Sequence, residues 1–181
     1  MDWEFYILNY IQNNFRSDLL DTVMPFISML GAAGVLWILI AVISLITKKY
    51  RRFGRSLVFY LIFAFIICNL IFKPVVNRIR PYELNTTINL LVSPEIDASF
   101  PSGHTFFAFG TATVFFIYNK KAGICMYILA SAIAASRLYL YVHFPTDVLF
   151  GMILGIITAV VSYKIEKFIF SDNNKNKPGQ I

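Results

Sequence analysis

The chain has 181 residues, 57% of them hydrophobic and only 14% charged, a balance outside the range of soluble domains, so it reads as an integral membrane protein. A net charge of +6 would point to nucleic acid in a soluble protein. Here the placement of the basic residues says more than their sum, and nucleic acid is set aside as a partner. Cys68 and Cys125 both fall in apolar runs, with no Cys-x-x-Cys or Cys/His cluster, so neither a disulfide framework nor a zinc site is expected. Met1-Asp2-Trp3-Glu4-Phe5 lacks the basic n-region of a secretory signal, and the first apolar segment is expected to stay in the mature protein.

Residues 3 to 15 mix Trp3, Phe5, Tyr6, Leu8, Ile11 and Phe15 with Glu4, Asn9, Gln12 and Asn13, too short and too polar to span, and predict an interfacial helix. Leu19 to Ile46 is long enough to cross, since a span needs about 20 residues; Pro25 is the expected kink. The basic loop Lys48-Lys49-Tyr50-Arg51-Arg52-Phe53-Gly54-Arg55 reads as a solvated positive-inside turn. A second span, Ser56 to Phe72, should end at Lys73-Pro74, because a proline disfavours helical geometry in the residue before it. Residues 73 to 100 form the longest non-apolar connection, and a loop of that length is more often functional than idle. Further spans are expected from about Pro101 to Tyr118, Ala122 to Tyr139 and Thr146 to Phe168. The fold class is therefore all-α: a polytopic membrane helical bundle of about five transmembrane helices plus the N-terminal interfacial helix. Residues 1–170 form a single domain on this reading, and 171–181 a polar, disordered cytoplasmic tail.

Eleven of the sixteen Lys and Arg residues fall at 48–55, at 119–121 and from Lys164 onward, which assigns that face to the cytoplasm. An odd number of spans then places the N-terminus, the 73–103 loop and the 137–147 segment together outside. The cations left there are Arg16, Lys73, Arg78, Arg80 and Arg137.

Three stretches on that outer face carry polar groups suited to one task. Lys73-x6-Arg80-Pro81 sets two cations in a short loop, although snorkelling headgroup anchors would look alike. Pro101-Ser102-Gly103-His104 opens a span: a helix start offers free N–H groups, Gly103 admits an anion close to the backbone, and Ser102 adds a hydroxyl. Ser136-Arg137-x5-His143-x3-Asp147 gathers an arginine, a histidine and an aspartate, costly at a bilayer edge without a purpose. A carboxylate at Asp147 could fix the tautomer of His143 and leave the other ring nitrogen free to attack. Two plainer readings stay open: Asp147 as a helix N-terminal charge, and Arg137 as a partner of Glu95 or Asp97.

These three stretches, in this order, resemble the signature of the type 2 phosphatidic acid phosphatase superfamily. The resemblance implies an all-helical membrane phosphatase that works through a phosphohistidine and needs no metal or other cofactor. By it His143 is the nucleophile, His104 the general acid and Asp147 the group that orients His143. Lys73, Arg80, Ser102, Gly103 and Arg137 hold the phosphate oxygens. Many relatives have six spans; here a short amphipathic stretch stands in place of the first.

Phosphoryl transfer asks chiefly for positioning and for positive charge around the equatorial oxygens, which three cations and a helix start supply. Glu83, Glu95 and Asp97 are scattered in sequence and form no tight pair of magnesium ligands. A site at the bilayer edge suits a lipid phosphate as substrate, and resemblance to small bacterial members favours undecaprenyl diphosphate cleaved outside a bacterial plasma membrane. Phosphatidylglycerol phosphate and phosphatidic acid are the alternatives. A transporter or channel would instead carry charges in the middle of its spans. Arg78 is expected either to contact a second phosphate or to anchor at the headgroups.

Overall fold

A computed structural model describes residues 2–31 and 34–171 of the chain. The described residues contain helices and connecting loops, in the order α1 (Asp2–Phe15), α2 (Asp18–Leu30), α3 (Val35–Ile46), α4 (Arg51–Phe65), α5 (Lys73–Val76), α6 (Pro81–Leu84), α7 (Gly103–Tyr118), α8 (Lys120–Tyr139) and α9 (Pro145–Ser171). Apart from Ser171, which ends α9, the polar tail lies outside the described residues.

The spans differ from expectation in two places. The segment expected to kink at Pro25 keeps that proline inside α2, and the bend of 42° between α2 and α3 falls instead between Leu30 and Val35. Gly31 closes the first helix and Gly34 takes φ 68°, a left-handed geometry that suits glycine and starts a new axis. Nor does the chain break at Lys73-Pro74. Ile66–Phe72 widens into a π-helical stretch in which the Lys73 N–H reaches the Cys68 carbonyl, five residues back. The wider turn accommodates the proline, and the helix runs on to Val76 before Asn77, at φ 43°, ends it.

Three helical stretches, including Lys48–Leu84, are long and apolar enough to cross a membrane, and the bent pair α2/α3 makes a fourth. The third of the five expected spans, α7, has 16 residues, about 24 Å at 1.5 Å per residue, and falls short of the length of the others. It runs through the middle of the bundle, largely buried and packed along α8, α9 and α4. Outward-facing Ile43, Ile128 and Ile157 are exposed, the surface a bilayer would cover.

Small residues set how closely α9 lies against α7. A Cβ at Gly155 would stand 2.4 Å from the Phe106 carbonyl oxygen, and one at Gly151 2.7 Å from that of Ser102. Two glycines four apart thus let the backbones approach as in membrane helix pairs generally. One turn before Gly151, the Asp147 carbonyl accepts from the Ser102 N–H at 3.0 Å. The same close packing that stabilises the bundle therefore fixes the start of α7 against the start of α9.

Candidate active site

Lys73 lies where the long helix of the second span approaches its end, His104 in the first turn of α7 and Asp147 in the first turn of α9, so three helix ends meet at one face. The loop of 85–100 closes over them. Between α8 and α9 the chain turns at Tyr141, whose φ of 59° is held by its buried ring: its hydroxyl donates to Asn9 and accepts from Asn85. That turn delivers the Val142 carbonyl and the His143 ring to the same point.

Arg80 is fully buried, and every one of its branches is engaged. Nε donates to the Asp97 carbonyl at 2.9 Å and Nη1 to the Val142 carbonyl at 2.8 Å. Nη2 donates to Asp97 Oδ1 and pairs with Glu95 Oε2, both at 2.6 Å. Nη1 also stands 3.3 Å from His143 Nε2. An arginine has only hydrogens to offer, so Nε2 is the accepting nitrogen and the proton of the neutral ring belongs on Nδ1. Nδ1 faces Ser99 Oγ at 3.5 Å and Asp147 Oδ2 at 3.7 Å.

Asp147 is fully buried and compensated on both oxygens. Oδ2 accepts from Ser99 Oγ at 2.5 Å and from the Phe144 N–H at 2.8 Å, and Oδ1 accepts from Arg78 Nη1 at 2.5 Å. The carboxylate is thus oriented toward His143 through Ser99 as well as directly. Arg78 takes neither expected place, at a second phosphate or among headgroups, because its guanidinium is committed to Asp147, Thr146 and Glu4.

Glu95 occupies the centre. Its Oε1 pairs with Arg137 Nη2 and lies 3.9 Å from His104 Nδ1; its Oε2 pairs with Arg80 and lies 3.8 Å from His143 Nε2. One of the plainer sequence readings, Arg137 as a partner of Glu95, therefore holds in the structure. Arg137 is buried, gives Nη1 to Ser28 Oγ, and its Nε meets no partner among the described residues. Lys73 pairs with Asp97, and its Nζ would lie 3.9 Å from a Cβ at Gly103, so the glycine leaves the space between the ammonium and the start of α7 open. Ser102 is less free than expected: its N–H is taken by Asp147 and its hydroxyl accepts from Thr105 at 3.0 Å.

The electrostatics follow from this crowding of cations. Burial, then Arg137 and Arg80, hold the His143 imidazole well below its usual pKa, so the ring is neutral. Burial alone would raise the Glu95 carboxyl, but Arg137 leads the cations that outweigh it and bring it down to about 2. Asp97 is likewise raised by burial and brought lower overall by its bond to Lys73.

Of the eight residues singled out in the sequence, Arg80, His104, Arg137 and His143 converge on Glu95, Lys73 joins through Asp97, and Asp147 and Ser102 support from behind. Sequence reasoning missed the central place of Glu95 and the bridging hydroxyl of Ser99. It also missed Glu4, which shares a face of α1 with Leu8 four residues on; both are buried, and a charge on that face was the available signal. A cavity of about 980 Å³ leads from Lys73 and His104 down between α3 and α4, walled by Ile38, Val42, Ile62 and Phe65.

The chain is 34% identical over 110 residues to the bacitracin transport permease protein BcrC of Bacillus licheniformis, covering 59% of this chain and 54% of that one. It is 32% identical over 163 residues to an undecaprenyl-diphosphatase of Sulfolobus acidocaldarius, covering 90% of this chain and 76% of the relative. The fold matches the crystal structure of a transmembrane PAP2 type phosphatidylglycerolphosphate phosphatase from Bacillus subtilis with a TM-score of 0.75 at 25% identity, over 93% of this chain and 86% of the other. The match thus spans about half the length of the first relative and most of the other two. A family model described as the PAP2 superfamily covers residues 53–170, the stretch that holds every one of the eight site residues, and the chain belongs to that superfamily.

Proposed function

We propose that the protein is a membrane lipid phosphatase that removes a terminal phosphate through a phosphohistidine on His143. The observation that carries this reading is the convergence of Arg80, Arg137, His104 and His143 on a single anionic group, the Glu95 carboxylate, which stands in for two oxygens of a phosphoryl group. With Nδ1 protonated and turned to Ser99 and Asp147, Nε2 holds the lone pair on the clamp side. It attacks phosphorus; the N–P bond forms as the bond to the leaving oxygen breaks, and His104 protonates that oxygen. Water then attacks the phosphohistidine, giving up a proton to His104 and freeing His143 and phosphate. Arg80, Arg137, Lys73 and the N–H groups at Gly103 neutralise the equatorial oxygens.

The substrate we favour is undecaprenyl diphosphate, cleaved to the monophosphate at the outer face of a bacterial plasma membrane. Supporting this are the apolar walls of the cavity below the clamp, which suit a long hydrocarbon tail, and the similarity to the undecaprenyl-diphosphatase of Sulfolobus acidocaldarius. The outer placement is supported by the charge layout: Arg51, Arg52 and Arg55 begin the same continuous helix that carries Lys73 at its far end. Phosphatidylglycerol phosphate is the second reading, favoured by the structural likeness to the Bacillus subtilis phosphatase. Purified protein in detergent, offered both lipids in parallel without added metal, should release phosphate from undecaprenyl diphosphate at least tenfold more efficiently. The opposite ratio would reassign the substrate and leave the mechanism standing, whereas release of neither would remove the phosphatase reading. Reaction of an impermeant thiol reagent with Leu90→Cys but not with Tyr50→Cys in intact cells, in a background carrying Cys125→Ser, tests the orientation.

A further inference from the structure

Behind Asp147 lies a second tier of charges that the phosphatase chemistry does not by itself require. Glu4, on α1, is 4% exposed, an expensive position for a carboxylate unless it is paired and hydrogen-bonded. It is both. Its Oε2 accepts from Arg78 Nη2 at 2.6 Å; its Oε1 accepts from Thr146 Oγ1 at 2.6 Å and from the Thr146 N–H at 3.3 Å. Arg78 in turn donates Nη1 to Asp147 Oδ1 at 2.5 Å and to Thr146 Oγ1 at 2.7 Å. Glu4, Arg78 and Thr146 thus close a ring of hydrogen bonds around one side of the carboxylate that faces His143. The ring is clamped from outside by aromatic packing: the Arg78 guanidinium lies 4.0 Å above the Phe144 ring, and Phe5 meets that ring edge-on at 5.3 Å.

We propose that Glu4 is a positioning residue for the reaction, acting through Arg78 and Thr146 to fix the Asp147 carboxylate and, through it, the His143 ring. The inference rests on the reading of His143 as nucleophile. Glu4 and α1 lie outside residues 53–170, so this part of the machinery is supplied by a segment the family match does not include. Charge explains why a carboxylate is needed there. Arg78 alone would draw Asp147 toward itself and partly cancel its charge; flanked by Glu4, it divides its donors between two carboxylates, and Asp147 keeps negative charge for His143. The other charged and titratable groups facing His143 are Arg80, Arg137, Glu95 and His104, and none of them touches Glu4.

Glu4→Gln preserves shape and removes the charge. Its expected effect is about a tenfold fall in kcat with KM for the lipid unchanged, because misplacement of a group behind the chemistry slows the step without altering phosphate binding. The acidic limb of the kcat/KM profile should also move to lower pH, since the freed positive charge of Arg78 disfavours the imidazolium. Leu8→Ala, which loosens the same helix without touching a charge, should leave both readouts unchanged. Should Glu4→Gln not fold, Thr146→Val keeps every charge, deletes the two bonds made by the Thr146 hydroxyl while leaving the Arg78–Glu4 pair and the Thr146 N–H bond, and should give a smaller fall in kcat at constant KM. Wild-type kcat and profile in the Glu4→Gln protein, or a KM change equal to the kcat change, would overturn the proposal. Turnover surviving in His143→Ala would instead overturn the reading beneath it, so the two failures are distinguishable.

Discussion

The two ends of the bundle treat the same residue types in opposite ways. At one end Lys48, Lys49, Arg51, Arg52, Lys120 and Lys121 are all exposed, with charges left to water. At the other end Arg80 and Arg137 are buried, and Lys73 nearly so, each tied to carboxylates. The basic end needs no fixed geometry, because a solvated cation orients the chain by its charge alone. Burial of a guanidinium is costly, and a site that meets the cost with backbone carbonyls and carboxylates gains donors held in fixed directions. An intermediate case sharpens the contrast: Arg55, at the basic end, pairs with the buried Glu166 at 2.9 Å and stacks on Phe170, a structural bond that serves no clamp.

The largest effect expected is at His143. His143→Ala should abolish turnover and any acid-labile phosphoenzyme, because positioning cannot replace a nucleophile; full labelling of that variant would erase the functional distinction between the ends. Arg80→Lys comes next. A lysine keeps the charge but cannot reach Asp97, Glu95, the Val142 carbonyl and His143 at once, and kcat/KM should fall by about 10²–10³-fold. The same exchange at Arg52 should leave activity as it is.

The contrast extends to pH. His143 is held neutral by burial and by Arg137 and Arg80, so kcat/KM at pH 5.5 should stay close to its value at pH 7, where an ordinary histidine of pKa about 6.5 would lose roughly tenfold. For stability the sign is the same for His143 and Glu95. The unfolded chain takes up protons that the folded one refuses, so stability falls as pH drops below about 6.5 for His143. For Glu95 it falls further as pH goes from 4.5 towards about 2. Thermal unfolding in detergent across this range measures the loss. The smallest effect belongs to the basic end: Glu166→Gln should lower stability by about 1–2 kcal/mol and leave kcat unchanged, and Lys49→Gln should change neither by more than about 0.5 kcal/mol.

The helices and the clamp were legible for different reasons. Long apolar runs announce spans, and Lys73, Arg80, His104, Arg137, His143 and Asp147 stand out because ionisable groups are scarce in such a chain. The break near Gly34 and the helix that continues past Pro74 were not legible. Proline rules describe a regular α-helix, and the widened turn at Ile66–Phe72 removes the clash they assume. Glu95 looked like one of several loop carboxylates, since nothing local marks a residue whose partners lie 42 and 48 positions further on. Glu4 was hidden by its helix, which has the aromatic, half-polar pattern of an interfacial segment and yet buries one charge.

Glu95 also makes the clamp a competition. A carboxylate fastened to the same chain nine residues before His104 meets the arginines at an effective concentration on the order of millimolar, as short flexible tethers do. An incoming anion binds only by outbidding it. On the proposed function, free phosphate at micromolar levels would compete poorly with it, and the reaction's own soluble product would be a weak inhibitor. A lipid phosphate is itself tethered, confined to a thin layer by its tail and held where its headgroup meets the clamp. On the proposed function, the internal carboxylate would act as a threshold, screening out dilute solutes and admitting ligands that arrive already concentrated by the membrane.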